Sequence, residues 1–368
     1  MTYDYLLNQH ARNSIDGNGF LLRSYVHYST NYSNAFWDGA RMTYGDGSGS
    51  YGPFTALDIA GHEITHGLTE NTANLVYSYQ SGALNESFSD IFGTAVEFYG
   101  KPSQANWLVG ENIGVTLRSM SNPNSYGDPD TYQGTNWATG AGDNGGVHTN
   151  SGVQNFWFYL LTMGGSGTND NANAYNITAQ GIIKAGAIAF RNLTVYLSTN
   201  SQYADARFYA IQSAIDLYGA CSAEVIATTN AWYAVGVGLP FDSTVTSDFS
   251  ANPAASCQAP FSVKFSNLSA NGGSFYWDFG DGNISTVSNP THIYNTYGTF
   301  TVKLVADGNP CGIDSITKVG YITVDSTIAC VVIMPVSGSG DVQTKCTGTV
   351  YDNGGPAGTY ADNTDNQI

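Results

Sequence analysis

Five consecutive residues, His62-Glu63-Ile64-Thr65-His66, carry the most specific chemistry in the sequence. Two histidines four apart fall on one face of a helix, so both imidazoles can reach one ion. The glutamate between them is placed to handle protons at that ion. Alone, the pattern also describes a surface histidine pair on an amphipathic helix, so a third ligand must be found, with a fourth position open for water. Glu70 lies one turn beyond His66. Three successive turns span roughly 12 Å, whereas zinc bonds are about 2 Å long, so Glu70 cannot complete the set. A metzincin pattern would want glycine at 69 and histidine at 72. Both are threonine, Thr69 and Thr72, which excludes that class.

A second stripe of acids supplies the candidate. Glu86, Asp90 and Glu97 share one face of a helical pattern over 83–99, as Asp58, His62 and His66 do over 56–69. One antiparallel register of the two helices sets Glu86 beside His66, Asp90 beside His62, and Asp58 within about a turn of Glu97. The first pairing completes a zinc site. The second gives His62 a carboxylate for its other ring nitrogen. The third makes an all-oxygen cluster that suits calcium. The competing reading of these acids is a solvated helix face, and the shared register favours the metal sites.

The elements that must hold these residues follow from pattern. Residues 1–150 mix Tyr-rich extended stretches, Gly-rich turns and the two helices. Residues 151–237 read as helical, with apolar positions at helical spacing in 156–161, 182–197, 204–217 and 225–235. Ser222 is placed to cap the last helix, with Glu224 in its first turn. The pattern changes near Leu239-Pro240. Short β-like runs such as Phe261–Phe265 and Phe300–Val305, separated by turn clusters, read as a small β-sandwich over 246–325. A linker rich in Ser and Gly follows over 326–345, and 346–368 is too short to fold alone.

The chain has 368 residues, 12 basic and 29 acidic, for a net charge of −17. That balance argues against nucleic acid and anionic lipid as partners, and either attracts cations or simply keeps the protein soluble. No apolar run of about 18 residues exists to span a membrane. The opening Met1-Thr2-Tyr3-Asp4-Tyr5 has no basic stretch followed by an apolar one, so any export signal is expected outside this chain. The cysteines are Cys221, Cys257, Cys311, Cys330 and Cys346. The odd count implies a free thiol or a partner outside the chain. Their clustering in the tail suggests disulfide-stapled modules in an oxidising compartment.

Five motifs in order now carry a resemblance: Asn34-Ala35-Phe36-Trp37, the H-E-x-x-H, Gly82-Ala83-Leu84-Asn85-Glu86-Ser87-Phe88-Ser89-Asp90, Leu117-Arg118-Ser119-Met120 and Asp143-Asn144-Gly145-Gly146-Val147-His148. Over about residues 2–238 the chain resembles the thermolysin-like neutral zinc metalloendopeptidases, of the vibriolysin and pseudolysin type. The resemblance implies an α+β peptidase domain over 1–239, with His62, His66 and Glu86 binding one catalytic zinc. Glu63 would activate the metal-bound water and carry its proton to the leaving amine. Tyr77 and His148 would donate to the oxyanion, Asp143 would orient His148, and Asp90 would orient His62. Arg118 would hold a substrate carbonyl, and Asn34 and the Ala35 backbone would grip the peptide as an added strand. Ile59, Val109, Ile113 and Leu117 would surround the residue after the scissile bond. Four aliphatic side chains predict cleavage before Leu, Phe, Ile or Val, since a buried unpaired charge costs several kcal/mol.

The departures are specific. The family's catalytic domain carries further β-rich chain before the point matching Thr2, which is expected to be missing here. At the calcium cluster Asp58, Glu97 and Glu111 match ligands, while two acidic positions are Asn106 and Leu108, with Leu108 offering its carbonyl. That favours one calcium over two. The short stretch from Glu111 to Arg118 leaves no room for the family's further calcium loop. Tyr276-Trp277-Asp278-Phe279-Gly280-Asp281-Gly282, with Pro290–Tyr294 and Gly298–Val302, resembles a PKD domain, an immunoglobulin-like sandwich. Its Asp and Gly residues read as turn formers and Trp277 as core. Such domains act as spacers or bind polymeric or extracellular-matrix surfaces. A Cys257–Cys311 disulfide is implied within it, and Cys346–Gly355 resembles the start of a CUB-like module. Together these imply a secreted endopeptidase acting on proteins and peptides. The alternative is an inactive relic in a calcium-stabilised adhesive protein, against which intact Glu63, Tyr77 and His148 argue.

Overall fold

A computed structural model describes residues 1–309 and 311–327, and the backbone of two paired strands, Gly348–Asp352 and Gly355–Tyr360. Most of the 326–345 linker, Cys330, Cys346 and the reading of the closing module lie outside the described residues. The chain divides into two units, one from Met1 to Asp242 and one from Ser243 onward.

The first unit opens with α1 (Thr2–His10) and a small sheet of β1 (Ser24–Tyr25), β2 (Ala35–Trp37) and β3 (Met42–Tyr44). The strand order β1-β3-β2 leaves one side of β2 unpaired. Two long helices follow, α2 (Leu57–Glu70) and α3 (Tyr79–Gly100), with Ile59, Ile64, Leu68, Leu84, Phe88 and Ile91 buried. The pair closes tightly at two glycines. A Cβ on Gly61 would lie 2.9 Å from the Cα of Gly93, and a Cβ on Gly93 would lie 2.5 Å from the Asp58 carbonyl oxygen. Backbones that nearly touch bring the polar stripes of the two helices within side-chain reach. The α3 helix starts about a turn before the expected residue 83. Ser81 Oγ donates to the carbonyls of Val76 and Ser78 at 2.7 and 3.0 Å, which fixes that extra turn.

Beyond α3 lie the paired strands β4 (Leu108–Val109) and β5 (Arg118–Ser119), then α4 (Asp143–Asn150) and α5 (Gly152–Met163). The helical run read over 151–237 is interrupted. The glycines at 164, 165 and 167 end α5 and open a hairpin, β6 (Gly165–Thr168) with β7 (Ala174–Ile177). Helices resume with α6 (Ile182–Arg191), a π turn over Asn192–Tyr196, α7 (Tyr203–Tyr218) and α8 (Ala223–Ala234). Ser222 caps α8 as expected, its Oγ accepting from Val225 N at 3.2 Å. Trp157 of α5 stacks on Trp232 of α8 at 4.8 Å, with both rings fully buried.

The second unit is a β-sandwich, which gives the chain the expected α+β plus all-β composition. One sheet joins β8 (Phe249–Asn252), β10 (Phe261–Asn267) and β13 (Thr291–Tyr294). The other has β9 (Ala255–Ser256), β11 (Ser274–Asp278), β12 (Ile284–Ser285), β14 (Gly298–Asp307) and β15 (Ile313–Val324), in the order β12-β11-β14-β15-β9. Trp277 is fully buried among Phe249, Phe265 and Phe279, in the core role expected of it. Asp278 and Asp281 accept from the backbone of Gly280 and Asn283, which makes them turn formers.

Candidate active site

The register of α2 against α3 sets the geometry. His62 Nε2 and His66 Nε2 lie 3.4 and 3.5 Å from the carboxylate oxygens of Glu86, and 3.0 Å from each other. One ligand atom from each of the three residues falls within 4.8 Å of the others. The far sides of both rings are occupied. Asp90 Oδ1 holds His62 Nδ1 at 2.9 Å, and Asn85 Oδ1 and Ser89 Oγ lie 2.9 and 3.2 Å from His66 Nδ1. An acceptor at Nδ1 puts the ring proton there and leaves a lone pair on Nε2. Two lone pairs and a carboxylate then converge on one point, which is repulsive unless a proton or a metal ion lies between them. Glu86 Oε2 is buried with no hydrogen-bond partner. Two imidazoles and one carboxylate are a zinc donor set, and the residues fit that ion.

Electrostatics follow the same pattern. Burial alone would lower the His62 pKa, but the hydrogen bond to Asp90 and the presence of Glu86 overcome it and lift the ring to about 10. Burial likewise opposes ionisation of Glu86, yet His66, His62 and His148 hold it well below the usual carboxylate range. Asp90 is also held down, by Arg118 and His62 against its burial. Its Oδ1 accepts from Arg118 Nη2 at 2.7 Å and its Oδ2 from Arg118 Nε at 2.8 Å and Asn155 Nδ2 at 2.8 Å. Asn85, Ser89 and Asn155 were not singled out from the sequence. Asn85 and Ser89 were visible only as neighbours of Glu86 and Asp90, and nothing in the sequence points from Asn155 to α3.

A cleft of about 700 Å³ opens over these residues, lined among others by Asn34, Ala35, Phe36, Trp37, Glu63, Tyr77, Arg118 and His148. Residues of β2, a strand unpaired on one side, form part of its wall. Glu63, 6% exposed, reaches the cleft from α2. Tyr77 Oη donates to Glu86 Oε1 and lies 3.3 Å from His148 Nε2. Asp143 grips His148 twice, at 2.6 Å on Nδ1 and 2.9 Å on the backbone N–H. That double grip needs four successive residues, Asp143 to Gly146, at positive φ, which the two glycines make feasible. The apolar end of the cleft has Phe54, Ile59 and Leu117 in its wall. Val109 and Ile113, expected beside them, are 1% and 2% exposed and belong to the core.

At the other end of the helix pair, burial raises the pKa of both Asp58 and Glu97, helped by the Glu111 carboxylate at each and by Asp58 at Glu97. Asp58 Oδ1, Glu97 Oε2 and Glu111 Oε2 are each buried without a hydrogen-bond partner, and such oxygens fit a hard cation. Asn106 is turned otherwise than expected of a ligand. Its Oδ1 accepts from Leu108 N at 2.7 Å and its Nδ2 donates to Glu111 at 2.8 Å. Asn112, not anticipated, donates to Glu111 at 2.9 Å and approaches Glu97 at 3.5 Å.

Known proteins match the chain in the same places. The model of the thermolysin metallopeptidase catalytic domain covers residues 1–70, that of its alpha-helical domain 73–237, and that of the PKD domain 244–324. Bacillolysin of Bacillus cereus is 50% identical over 248 residues, covering 64% of this chain and 42% of that protein. A thermolysin of Alicyclobacillus acidocaldarius is 47% identical over 245 residues, covering 64% and 43%. The chain thus spans less than half the length of these curated relatives. The solved precursor of protealysin from Serratia proteamaculans is 34% identical with a TM-score of 0.56, covering 64% of this chain and 75% of that one. With the metal-ligand set on its two paired helices, its helical lobe and a PKD domain following in sequence, the chain belongs to the thermolysin family of metallopeptidases.

Proposed function

We propose that the protein is a secreted, zinc-dependent neutral endopeptidase that cuts before hydrophobic residues. The observation that carries this reading is the convergence of His62 Nε2, His66 Nε2 and the unpartnered Glu86 Oε2 beneath an open cleft. Bound zinc supplies a Lewis acid for the scissile carbonyl and a water of pKa about 7. Glu63 takes a proton from the attacking water and delivers it to the leaving amine. Tyr77 and His148 donate to the oxygen that becomes negative, each contributing roughly 3–4 kcal/mol. His148 does so from Nε2 while Asp143 holds its Nδ1, which fixes the ring. Arg118 is tied to Asp90 on one side and borders the cleft on the other, so it holds a substrate carbonyl without leaving its partner.

The substrate adds as a strand to the free edge of β2, gripped by Asn34 and the Ala35 backbone. Ile59, Leu117 and Phe54 receive the side chain after the scissile bond. A leucine or phenylalanine gains roughly 1.5–3 kcal/mol by burial there, whereas a charge finds no partner. One calcium, held by Asp58, Glu97 and Glu111, clamps the far ends of α2 and α3. Secretion is supported by disulfide bonding of Cys221, Cys257 and Cys311. Among the described residues no helix is long and apolar enough to cross a membrane. The PKD domain acts as a spacer or binds a polymeric surface. The test is zinc content and casein hydrolysis by the purified protein. One zinc per chain with hydrolysis is expected, and a zinc-bearing protein without hydrolysis would make it a relic.

A further inference from the structure

Helix α2 runs along the cleft and orders its wall. Ile59, near the helix start, lines the apolar end; His62, Glu63 and His66 follow; Glu70, the last helical residue, also lines the cleft. On the peptidase reading, on which this inference rests, Ile59 meets the side chain after the scissile bond. Glu70 therefore stands on the opposite side of the reaction centre, where the N-terminal half of the substrate runs. It is one turn, roughly 6 Å, past His66, a distance of about two residues of extended chain.

The Glu70 carboxylate is only half engaged. Oε2 accepts from Trp37 Nε1 at 2.7 Å. Trp37 itself is seated on α2 at Gly67, where a Cβ would come within 3.1 Å of the indole. This contact fixes the carboxylate in place and directs one oxygen to the indole. The other oxygen, Oε1, has no hydrogen-bond partner among the described residues, and the side chain is exposed. The other acids of the cleft wall, Glu63 and Glu86, belong to the reaction centre. Its guanidinium, Arg118, is taken by Asp90, and Arg41, four residues along the chain from Trp37, is taken by Asp38. Glu70 is thus a positioned carboxylate, facing the path of the substrate, with no cation among the described residues pairing it.

We propose that Glu70 selects a lysine or arginine at the second residue before the scissile bond, through Oε1. The pairing adds to the hydrophobic selection after the bond, so the preferred cleavage site combines a cation two residues upstream with an aliphatic or aromatic residue downstream. An exposed pair of this kind is weakened by salt.

The test uses the full chain loaded with zinc and three peptides that share leucine after the scissile bond. They differ only at the second residue before it, which is lysine, alanine or glutamate. We expect kcat/KM for lysine to exceed that for glutamate by about five- to tenfold at low ionic strength, shrinking as salt rises. Glu70→Gln keeps an acceptor for Trp37 and removes the charge, so the ratio should fall to about one; Glu70→Lys should invert it. Uncleavable versions of the peptides, titrated by calorimetry, should bind in the same order without turnover. A lysine-to-glutamate ratio unchanged in both variants overturns the proposal. So does an equal loss of preference when the charge is moved to the second residue after the bond, because that outcome reports the net charge and not Glu70. Failure of the unsubstituted protein to cut even the alanine peptide would strike the peptidase reading instead, which separates the two failures.

Discussion

Helices α2 and α3 hold buried acids at both ends of their contact, in opposite electrical settings. At one end Glu86 and Asp90 are at most 1% exposed, yet His62, His66, His148 and Arg118 keep both ionised against their burial. At the other end Asp58 and Glu97 are each 1% exposed and face Glu111, with Lys101 and a backbone hydrogen bond from Asn106 acting against the repulsion at Glu97. Burial and the neighbouring carboxylates push Glu97 up to about 7 and raise Asp58 as well. The same two helices thus impose the same desolvation with opposite outcomes. Where the chain supplies its own cations, a borderline metal with nitrogen ligands completes the site. Where it supplies only oxygens, protons or a hard cation from solution must do so.

The largest effects belong to the histidine end. Glu63→Gln should keep one zinc per chain while turnover falls about a thousandfold or more, because this residue moves protons and is not a ligand. Metal analysis beside casein hydrolysis checks both halves, and normal turnover would break the mechanism. Next comes Asp90→Asn. Losing the carboxylate behind His62 should weaken zinc binding about 10- to 100-fold, read by competition with a chelator. It also leaves the Arg118 guanidinium without its ion partner, so the unfolding temperature should drop as well. The same substitution should leave calcium affinity unchanged if the two ends are independent.

Much of this contrast was legible in the sequence, and the reason is periodicity. Acids and histidines at four- and seven-residue spacing on two helices admit one register, and His62 beside Asp90 and His66 beside Glu86 are where that register puts them. What supports the stripes was not legible. Asn155 reaches Asp90 across 65 residues of sequence, and a single amide leaves no periodic trace. The Gly61–Gly93 contact that sets the helix spacing is equally silent, since glycine inside a helical pattern reads as a weakness before the partner helix is known. The hairpin of β6 and β7 was hidden by the apolar runs on either side. Val109 and Ile113 show the limit of analogy between positions: their aliphatic character was plain, but only packing decides whether an aliphatic residue faces the cleft or the core. The second unit was easier, because alternating burial along β10 and β14 has the period of two that a sandwich requires.

Removing calcium sharpens the comparison from the other side. With zinc retained and calcium taken by a selective chelator, the unfolding temperature should fall by about 10 °C, the shift expected when millimolar ion leaves a micromolar site in a domain of this size. Glu97→Gln should then behave oppositely in the two conditions. With calcium present it loses a ligand and should unfold a few degrees below the unsubstituted protein. With calcium absent it loses a repelling acid and should unfold slightly above it. A variant that is less stable in both conditions would mean that Glu97 is an ordinary buried acid with no ion to hold.

The smallest effect is also the most specific, because it depends on the direction of the Glu97 shift. An acid raised in the folded state keeps its proton where the unfolded chain has already released one. For Glu97 that window runs from its ordinary value of 4.5 up to about 7. Across it the folded state binds more protons, so stability falls as pH rises and reaches its floor above about 7. Asp58 is raised too, which steepens the same fall. The histidine end shifts in the other sense of charge. His62, lifted to about 10, contributes stability that is whole below 6.5 and lost as pH rises toward 10, and only when no zinc holds the ring. Zinc-loaded, calcium-free protein should therefore show a loss of a few degrees between pH 4.5 and 7 and little change just above. Calcium takes the place of the proton and should abolish that slope, the histidine window being closed by zinc in both conditions. Differential scanning calorimetry at half-unit pH steps, with and without calcium, resolves the two. A calcium-free protein whose unfolding temperature rises from pH 4.5 to 7 would show that Asp58, Glu97 and Glu111 are not close enough to repel, and the contrast between the two helix ends would fail.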